Sequence, residues 1–358
     1  MRPGDLLHLE RCLELAERGA RTAAPNPMVG CVIVLDGEVI AEGWHERPGS
    51  PHAERMALDA AVDATGATVY VSLEPCAHHG RTPPCADALV DARVARVVVA
   101  AGDPDPRTNG AGIARLQDAG IEAEIATGEI ERLARLQNAA FRTLVVLGRP
   151  HVTYKAAASL DGRTATAGGE SRWISSPESR RLVHEWRARS MAVAVGSGTA
   201  LADDPSLTAR DCDPPAERQP LRVVFDRRGR LPASSALVQS AREVPVVVVT
   251  APGGGAVLAE HGVEVLETAS PAEALAELGR REVSSLLVEG GAGLAGALLA
   301  DGLVDRLAVF TAPIVLGGGP GLVDGWAAAH LDQAVRAASV TAREVGPDTL
   351  LVAELRET

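Results

Sequence analysis

Short valine-rich runs alternate with stretches of helical periodicity along the whole chain, and this constrains the fold more than any other feature. ATVYVSLE (67–74) is followed by CADALVDA, ARVVVAAGD by AGIARLQDAG, and IEAEIATG by EIERLARLQNAAFRTL. Apolar runs of strand length between punctuating Gly and Asp residues read as strands, and apolar residues spaced three and four apart read as helices. Alternation of this kind predicts α/β architecture, with a sheet covered by helices on both faces. Upstream, DLLHLERCLELAERGA predicts a helix with Asp5 as its N-cap and Gly19 as its stop, while HAERMALDAAVDA predicts another. VGCVIVLDGEVIAEGW predicts a hairpin closed by Asp36-Gly37, and EIERLARLQNAAFRTL predicts one closing helix. Gly148 and Pro150 then punctuate VVLGRPHVTY, and a second series begins: HVTYKAAASLDG, MAVAVG, LRVVFD, VPVVVVT, SSLLVEG and RLAVFTAPIVL, with helices between. A chain of 358 residues is long for a single core, so two α/β domains are expected, 1–147 and 148–358.

Charge and cysteine content narrow the function classes. The net charge is −12, spread over both halves, and no Lys/Arg run offers the basic face of a nucleic-acid binder. Small-molecule chemistry is favoured. Neither a leader-like pattern nor an apolar run of membrane-spanning length occurs, so a cytoplasmic location is expected. Five cysteines, an odd number in so long a chain, point away from a disulfide scaffold. One residue stands apart: Lys155 is the only lysine, every other basic side chain being arginine.

The densest chemistry lies in LEPCAHHGRTPPC (73–85). Cys76, His78, His79 and Cys85 could supply the four ligands of a structural zinc knuckle. The upstream stretch SPHAERMALDA changes the weighing, because it sets His52 and Glu54 two apart at the start of a predicted helix. A zinc deaminase needs three protein ligands, an open position for water and a carboxylate that does not bind the metal, in the pattern H-x-E…P-C-x-x-C. His52, Glu54 and Pro75-Cys76 fit this pattern, but Cys85 follows Cys76 by nine positions, so AHHGRTPP must bulge outward if both thiols are to converge. Cys85 would open the helix CADALVDA, whose N-terminus favours thiolate. On this reading His78 and His79 are loop or pocket residues.

In the second half, SSLLVEGGAGLAGALLADG sets Gly291-x-Gly293-x-x-Gly296 after a strand and at the opening of a helix. Amides at such a turn can cradle phosphates, and glycines also mark tight turns and close packing. Thr311 stands near where a Rossmann site would carry its ribose-binding acid, so a Rossmann NAD site is not expected. VGSGTALADDPSLTAR adds a second glycine turn followed by Asp203, Asp204 and Arg210, and Arg180, Arg181, Arg187 and Arg189 lie on one predicted helix. One of these arginines facing inward could grip a phosphate bidentately.

With both constellations in place, the chain resembles the bifunctional riboflavin-biosynthesis deaminase–reductases along essentially its whole length. PNPMVGCVIV, PHAE, EPCAHHGRTPPC, KAAASLDGRTA, GESRWI, GTALADDPSLTAR and VEGGAGLAGAL carry the resemblance. It implies a cytidine-deaminase-like domain over 1–147 and a dihydrofolate-reductase-like domain over 148–358. It also implies hydrolytic loss of the 2-amino group of 2,5-diamino-6-(5-phosphoribosylamino)pyrimidin-4(3H)-one, followed by NADPH-dependent reduction of the product's ribosyl group to ribityl. By motif, His52, Cys76 and Cys85 become Zn²⁺ ligands, Glu54 the proton shuttle, and Asn26 a residue of the pyrimidine pocket. Ala157, Trp173, Thr199, Asp203 and the turn Gly291, Ala292, Gly293, Leu294, Ala295, Gly296 and Ala297 map to NADPH contacts. Ser171, Arg187, Leu207, Arg210 and Glu289 map to substrate contacts, with the two arginines as phosphate partners. At Arg227 the family more often has a small polar residue. The resemblance further implies a homo-oligomer acting on a small phosphorylated substrate, with neither nucleic acid nor membrane as partner. Two rivals remain: a nucleic-acid base deaminase with an unrelated second module, and a non-catalytic zinc-stabilised scaffold.

Overall fold

The structure, a computed structural model, describes residues 1–77 and 83–357. The chain divides into two compact units, Met1–Leu147 and Gly148–Glu357. Among the described residues no helix is long and apolar enough to cross a membrane.

The first unit runs α1 (Asp5–Glu17), β1 (Gly30–Leu35), β2 (Glu38–Trp44), α2 (Ala53–Ala60), β3 (Thr68–Val71), α3 (Cys85–Asp91), β4 (Arg96–Val99), α4 (Ala111–Asp118), β5 (Glu122–Ile125), α5 (Glu129–Gln137) and α6 (Ala139–Leu147). Its sheet has the order β2-β1-β3-β4-β5, antiparallel through β3 and parallel beyond. Successive residues of a strand face opposite sides, and both sides are apolar here. Cys31, Ile33, Val69, Val71, Val97 and Val99 pack with Ala53, Ala57, Leu89 and Leu116 of α2, α3 and α4. Val32, Val34, Tyr70 and Val98 pack with Leu9, Leu15, Ile130 and Ala134 of α1 and α5. The expected cover on both faces is present.

Two local expectations are corrected. Asp5 is the first residue of α1 rather than its cap, which is Gly4. Its carboxylate is buried and accepts from Tyr70 at 2.9 Å and from both terminal nitrogens of Arg96 at 2.8 and 2.7 Å. The closing helix breaks in two at Asn138. There the side-chain amide clamps Met28, accepting from its N–H at 2.8 Å and donating to its carbonyl at 2.9 Å.

The second unit contains β6 (His151–Ser159), α7 (Pro177–Arg189), β7 (Ala192–Gly196), α8 (Ser197–Asp203), β8 (Leu221–Phe225), α9 (Ala236–Gln239), β9 (Val246–Thr250), α10 (Ala256–Ala259), β10 (Glu264–Glu267), α11 (Pro271–Arg280), β11 (Ser285–Glu289), α12 (Ala292–Ala300), β12 (Arg306–Ala312), β13 (Ser339–Val345) and β14 (Asp348–Glu354). The sheet order is β10-β9-β8-β7-β11-β6-β12-β14-β13. From β10 through β12 neighbours are parallel, and β14 and β13 close one edge antiparallel. After β7 the chain moves outward through β8, β9 and β10, then returns to insert β11 between β7 and β6. Such a reversal opens a crevice beyond the carboxyl ends of the strands, where α/β sheets bind ligands. A buried ion pair ties β6 to the lead-in of β12: Arg149 donates to both oxygens of Asp305 at 2.6 and 2.8 Å.

Candidate active sites

In the first unit, three donors converge at two helix starts. His52 caps α2 with extended backbone, and Cys85 opens α3. His52 Nδ1 lies 3.2 Å from Cys85 Sγ and 3.7 Å from Cys76 Sγ, and all three ligand atoms fall within 4.8 Å of one another. The Cys85 N–H points at Cys76 Sγ at 3.3 Å. Zinc bonds of about 2.0 Å to nitrogen and about 2.3 Å to sulfur, at a tetrahedral angle, separate the two donors by about 3.6 Å. One nitrogen and two sulfurs at these spacings fit zinc and leave a fourth position open. Cys76 is held well below the usual thiol range by hydrogen bonds from Cys85, then His52, against the opposing effect of burial.

Glu54, two residues into α2, is buried, and desolvation pushes its carboxyl up to about 7. Asn26 donates from Nδ2 to His45 Nε2 at 3.0 Å, and His45 Nδ1 donates to Pro51 O at 3.1 Å. That chain sets the His45 tautomer and carries it to within 5.5 Å, centroid to centroid, of the His52 ring. Burial also lowers the His45 pKa, which favours the neutral ring.

Sequence reasoning missed His45, Glu74 and Gly112. Buried Glu74 accepts from the N–H groups of Gly110 and Gly112 at 3.0 Å and of Ile113 at 3.3 Å, which ties the strand leading to Cys76 onto the start of α4. Glu74 lies beside the Pro-Cys pair, and that adjacency was the available signal. His78 and His79 lie outside the described residues.

In the second unit, a cleft of about 1010 Å³ opens at the carboxyl ends of β6, β7 and β11. It gathers Ala157, Ser171, Trp173, Thr199, Asp203, Leu207, Arg210, Arg187, Glu289, Gly291, Ala292 and Gly293, with Lys155 and His184 beside them. Gly291 takes φ 86° and faces Thr199, whose Oγ1 would stand 3.3 Å from a Cβ at that position. Trp173, 68% exposed, is backed by the Arg180 guanidinium 4.6 Å from its ring centre. Burial lowers the Lys155 pKa, opposed by the nearby Glu289 carboxylate.

Four residues expected in the turn do not line the cleft: Leu294, Ala295, Gly296 and Ala297. Ala295 and Gly296 are buried, and a Cβ on Gly296 would stand 1.9 Å from Asp324 O. The third glycine of the motif therefore serves close packing. Arg187 also differs from the expected open phosphate partner. Its guanidinium pairs with both oxygens of Glu289, Nη2 at 2.9 Å, while Nη1 donates to Thr208 O at 3.0 Å. Three of its five N–H groups are thus engaged. Arg227 does not line the cleft, and its neighbour Arg230 reaches Ser197 Oγ at 2.7 Å.

Family models match one segment in each unit. Residues 4–101 match the cytidine and deoxycytidylate deaminase zinc-binding region, and residues 150–351 match the RibD C-terminal domain. The chain is 43% identical over 371 residues to the riboflavin biosynthesis protein RibD of Escherichia coli K12, covering 97% of this chain and 98% of the relative. It superposes on a structure of Acinetobacter baumannii RibD with TM-score 0.86 at 41% identity, and 98% of each chain is covered. A Thermotoga maritima structure described as a diaminohydroxyphosphoribosylaminopyrimidine deaminase/5-amino-6-(5-phosphoribosylamino)uracil reductase superposes with TM-score 0.86 at 34% identity, again covering 98% of each. The expected fold class, a cytidine-deaminase-like domain followed by a dihydrofolate-reductase-like one, is borne out. The chain belongs to the RibD family, the deaminase–reductases of riboflavin biosynthesis.

Proposed function

We propose that the first unit hydrolyses 2,5-diamino-6-(5-phosphoribosylamino)pyrimidin-4(3H)-one to the corresponding uracil and ammonia. We further propose that the second unit reduces the ribosyl group of 5-amino-6-(5-phosphoribosylamino)uracil to ribityl at the expense of NADPH. The observation that carries the first reading is the convergence of His52, Cys76 and Cys85 with Glu54 buried beside them. Those three residues would hold Zn²⁺, which supplies a Lewis acid that makes water an effective nucleophile near neutral pH. Glu54 is not a ligand. A carboxyl near pH 7 can take the proton of the attacking water and return it to the departing amine, so that ammonia leaves as the carbonyl forms. Asn26, oriented by His45, would position the pyrimidine ring.

For the second unit, the reading is supported by a cleft at the sheet's switch point that brings glycine-turn amides and carboxylate, ammonium and guanidinium groups together. The turn Gly291–Gly293 would receive cofactor phosphates, and Arg210 would meet the phosphorylated end of the substrate. Glu289, braced by Arg187, would face the sugar. NADPH is expected to serve better than NADH. The enzyme is read as a cytoplasmic homo-oligomer, with light scattering of the purified chain as the check on assembly.

Ammonia release and NADPH oxidation, measured on the diaminopyrimidine with metal analysis of the same sample, test both halves. Zinc near one per chain with both activities supports the reading, and deamination of tRNA or single-stranded DNA instead would replace it.

A further inference from the structure

The segment between α8 and β8 carries costly backbone. Asp204, Leu207 and Asp211 take φ of 41°, 53° and 54°. Non-glycine residues rarely hold such values, and the strain persists only where surrounding contacts over-determine it. Here side chains from α7 and β8, together with Gln219 near the segment's own end, supply those contacts. Arg222, fully buried in β8, donates from Nη1 to Ser206 O at 3.1 Å, and Arg187 donates to Thr208 O at 3.0 Å. Gln219 grips Ala209 twice: Oε1 accepts from its N–H at 2.7 Å, and Nε2 donates to its carbonyl at 3.0 Å. His184 Nδ1 accepts from the Arg210 N–H at 3.1 Å. Further along, Cys212 Sγ contacts His184 O at 3.4 Å, and Glu185 accepts from the Asp213 N–H at 3.3 Å. Side chains thus satisfy backbone groups that a sheet or helix would otherwise have to pair. The Arg210 guanidinium then rests on Ser206 Oγ and on Thr208 Oγ1, the latter at 3.2 Å, at the wall of the cleft.

We propose that Gln219 and His184 are positioning residues of the reductase site, locking Ala209–Arg210 so that the Arg210 guanidinium is set for the substrate phosphate before it arrives. This rests on the reading of Arg210 as the phosphate partner. Gln219 is outside the cleft lining, so it acts through the backbone alone. His184 can accept at Nδ1 only while that nitrogen is unprotonated, and burial together with the Arg187 and Arg210 charges disfavours protonation. A guanidinium held in place beforehand loses less freedom on binding, and the gain appears as affinity for the phosphate-bearing ligand rather than for the cofactor.

The test uses the full chain and two readouts: competitive inhibition by ribose 5-phosphate, and separate KM values for 5-amino-6-(5-phosphoribosylamino)uracil and NADPH. Gln219→Leu and His184→Leu are expected to raise the inhibition constant and the substrate KM about tenfold while shifting the NADPH KM less than about twofold. His184→Asn, whose Oδ1 stands where Nδ1 stood, should recover most of the loss. In an Arg210→Ala background, Gln219→Leu should add nothing, because the group it positions is gone. An unchanged inhibition constant, equal rises in both KM values, or full additivity with Arg210→Ala would overturn the proposal. If Arg210→Ala weakens ribose 5-phosphate and Gln219→Leu does not, only the positioning role falls. If Arg210→Ala has no effect, the phosphate reading falls with it.

Discussion

Replacing Gly112 by alanine offers a test of how remote packing fixes the deaminase site. Gly112 is near the start of α4, and an alanine Cβ there would stand 2.0 Å from the carbonyl oxygen of Pro75, the residue before Cys76. Ordinary contact between such atoms is near 3.2 Å, so roughly 1 Å of backbone must give way. Helix propensity favours alanine over glycine by about 1 kcal/mol. Overpacking costs about 1–3 kcal/mol, and this contact is with backbone rather than with a flexible side chain. The clash therefore wins, and the strand-to-loop segment bearing Cys76 moves. Misplacing a reacting constellation by 1 Å can cost about a hundredfold in rate. Gly112→Ala is accordingly expected to lower zinc occupancy and to slow ammonia release by about ten- to a hundredfold. Reductase turnover on pre-deaminated substrate should be untouched, because Gly112 and the cleft belong to different units. Paired metal analysis and ammonia assays read the result. Full zinc with a deaminase rate within twofold of the parent would refute the reasoning.

Other expectations follow from buried charges. Burial holds the His151 pKa down to about 3, while the unfolded chain has an ordinary value near 6.5. Its contribution to stability is therefore complete above about pH 6.5 and is lost as pH falls toward 3, by up to about 1.4 kcal/mol per pH unit. Urea titrations between pH 7.5 and 5 should show this slope, and His151→Gln should flatten it. Arg149→Ala strands the Asp305 carboxylate, 1% exposed, and should cost about 3–5 kcal/mol in the same titrations.

The parts of the fold legible in the sequence are those fixed by local chemistry. Asp36 and Gly37 close the first hairpin with φ of 53° and 86°, the pair of positive values a type I′ turn requires. The valine runs became strands with both faces buried, and the H-x-E and Pro-Cys elements gathered into one site because each begins a helix or ends a strand. The departures come from partners far away in the chain. Asp5 forgoes capping because Arg96, 91 residues on, holds it in the core. Asn138 interrupts a helix that its own sequence permits, because it pairs with Met28 across 110 residues. Gly296 resembles a phosphate-turn glycine in the motif, yet the chain at Asp324 decides its use. His45 and Gln219 were invisible for a similar reason: each acts on a ring or backbone that only the tertiary fold brings near.

On the proposed function, Glu54 moves the proton while His52, Cys76 and Cys85 hold the metal. Glu54→Gln keeps the size of the side chain and removes the base. The Glu54→Gln enzyme should retain zinc near one per chain, release ammonia about a hundredfold or more slowly, and oxidise NADPH on 5-amino-6-(5-phosphoribosylamino)uracil at an unchanged rate. Normal ammonia release from a zinc-loaded Glu54→Gln enzyme would contradict that assignment.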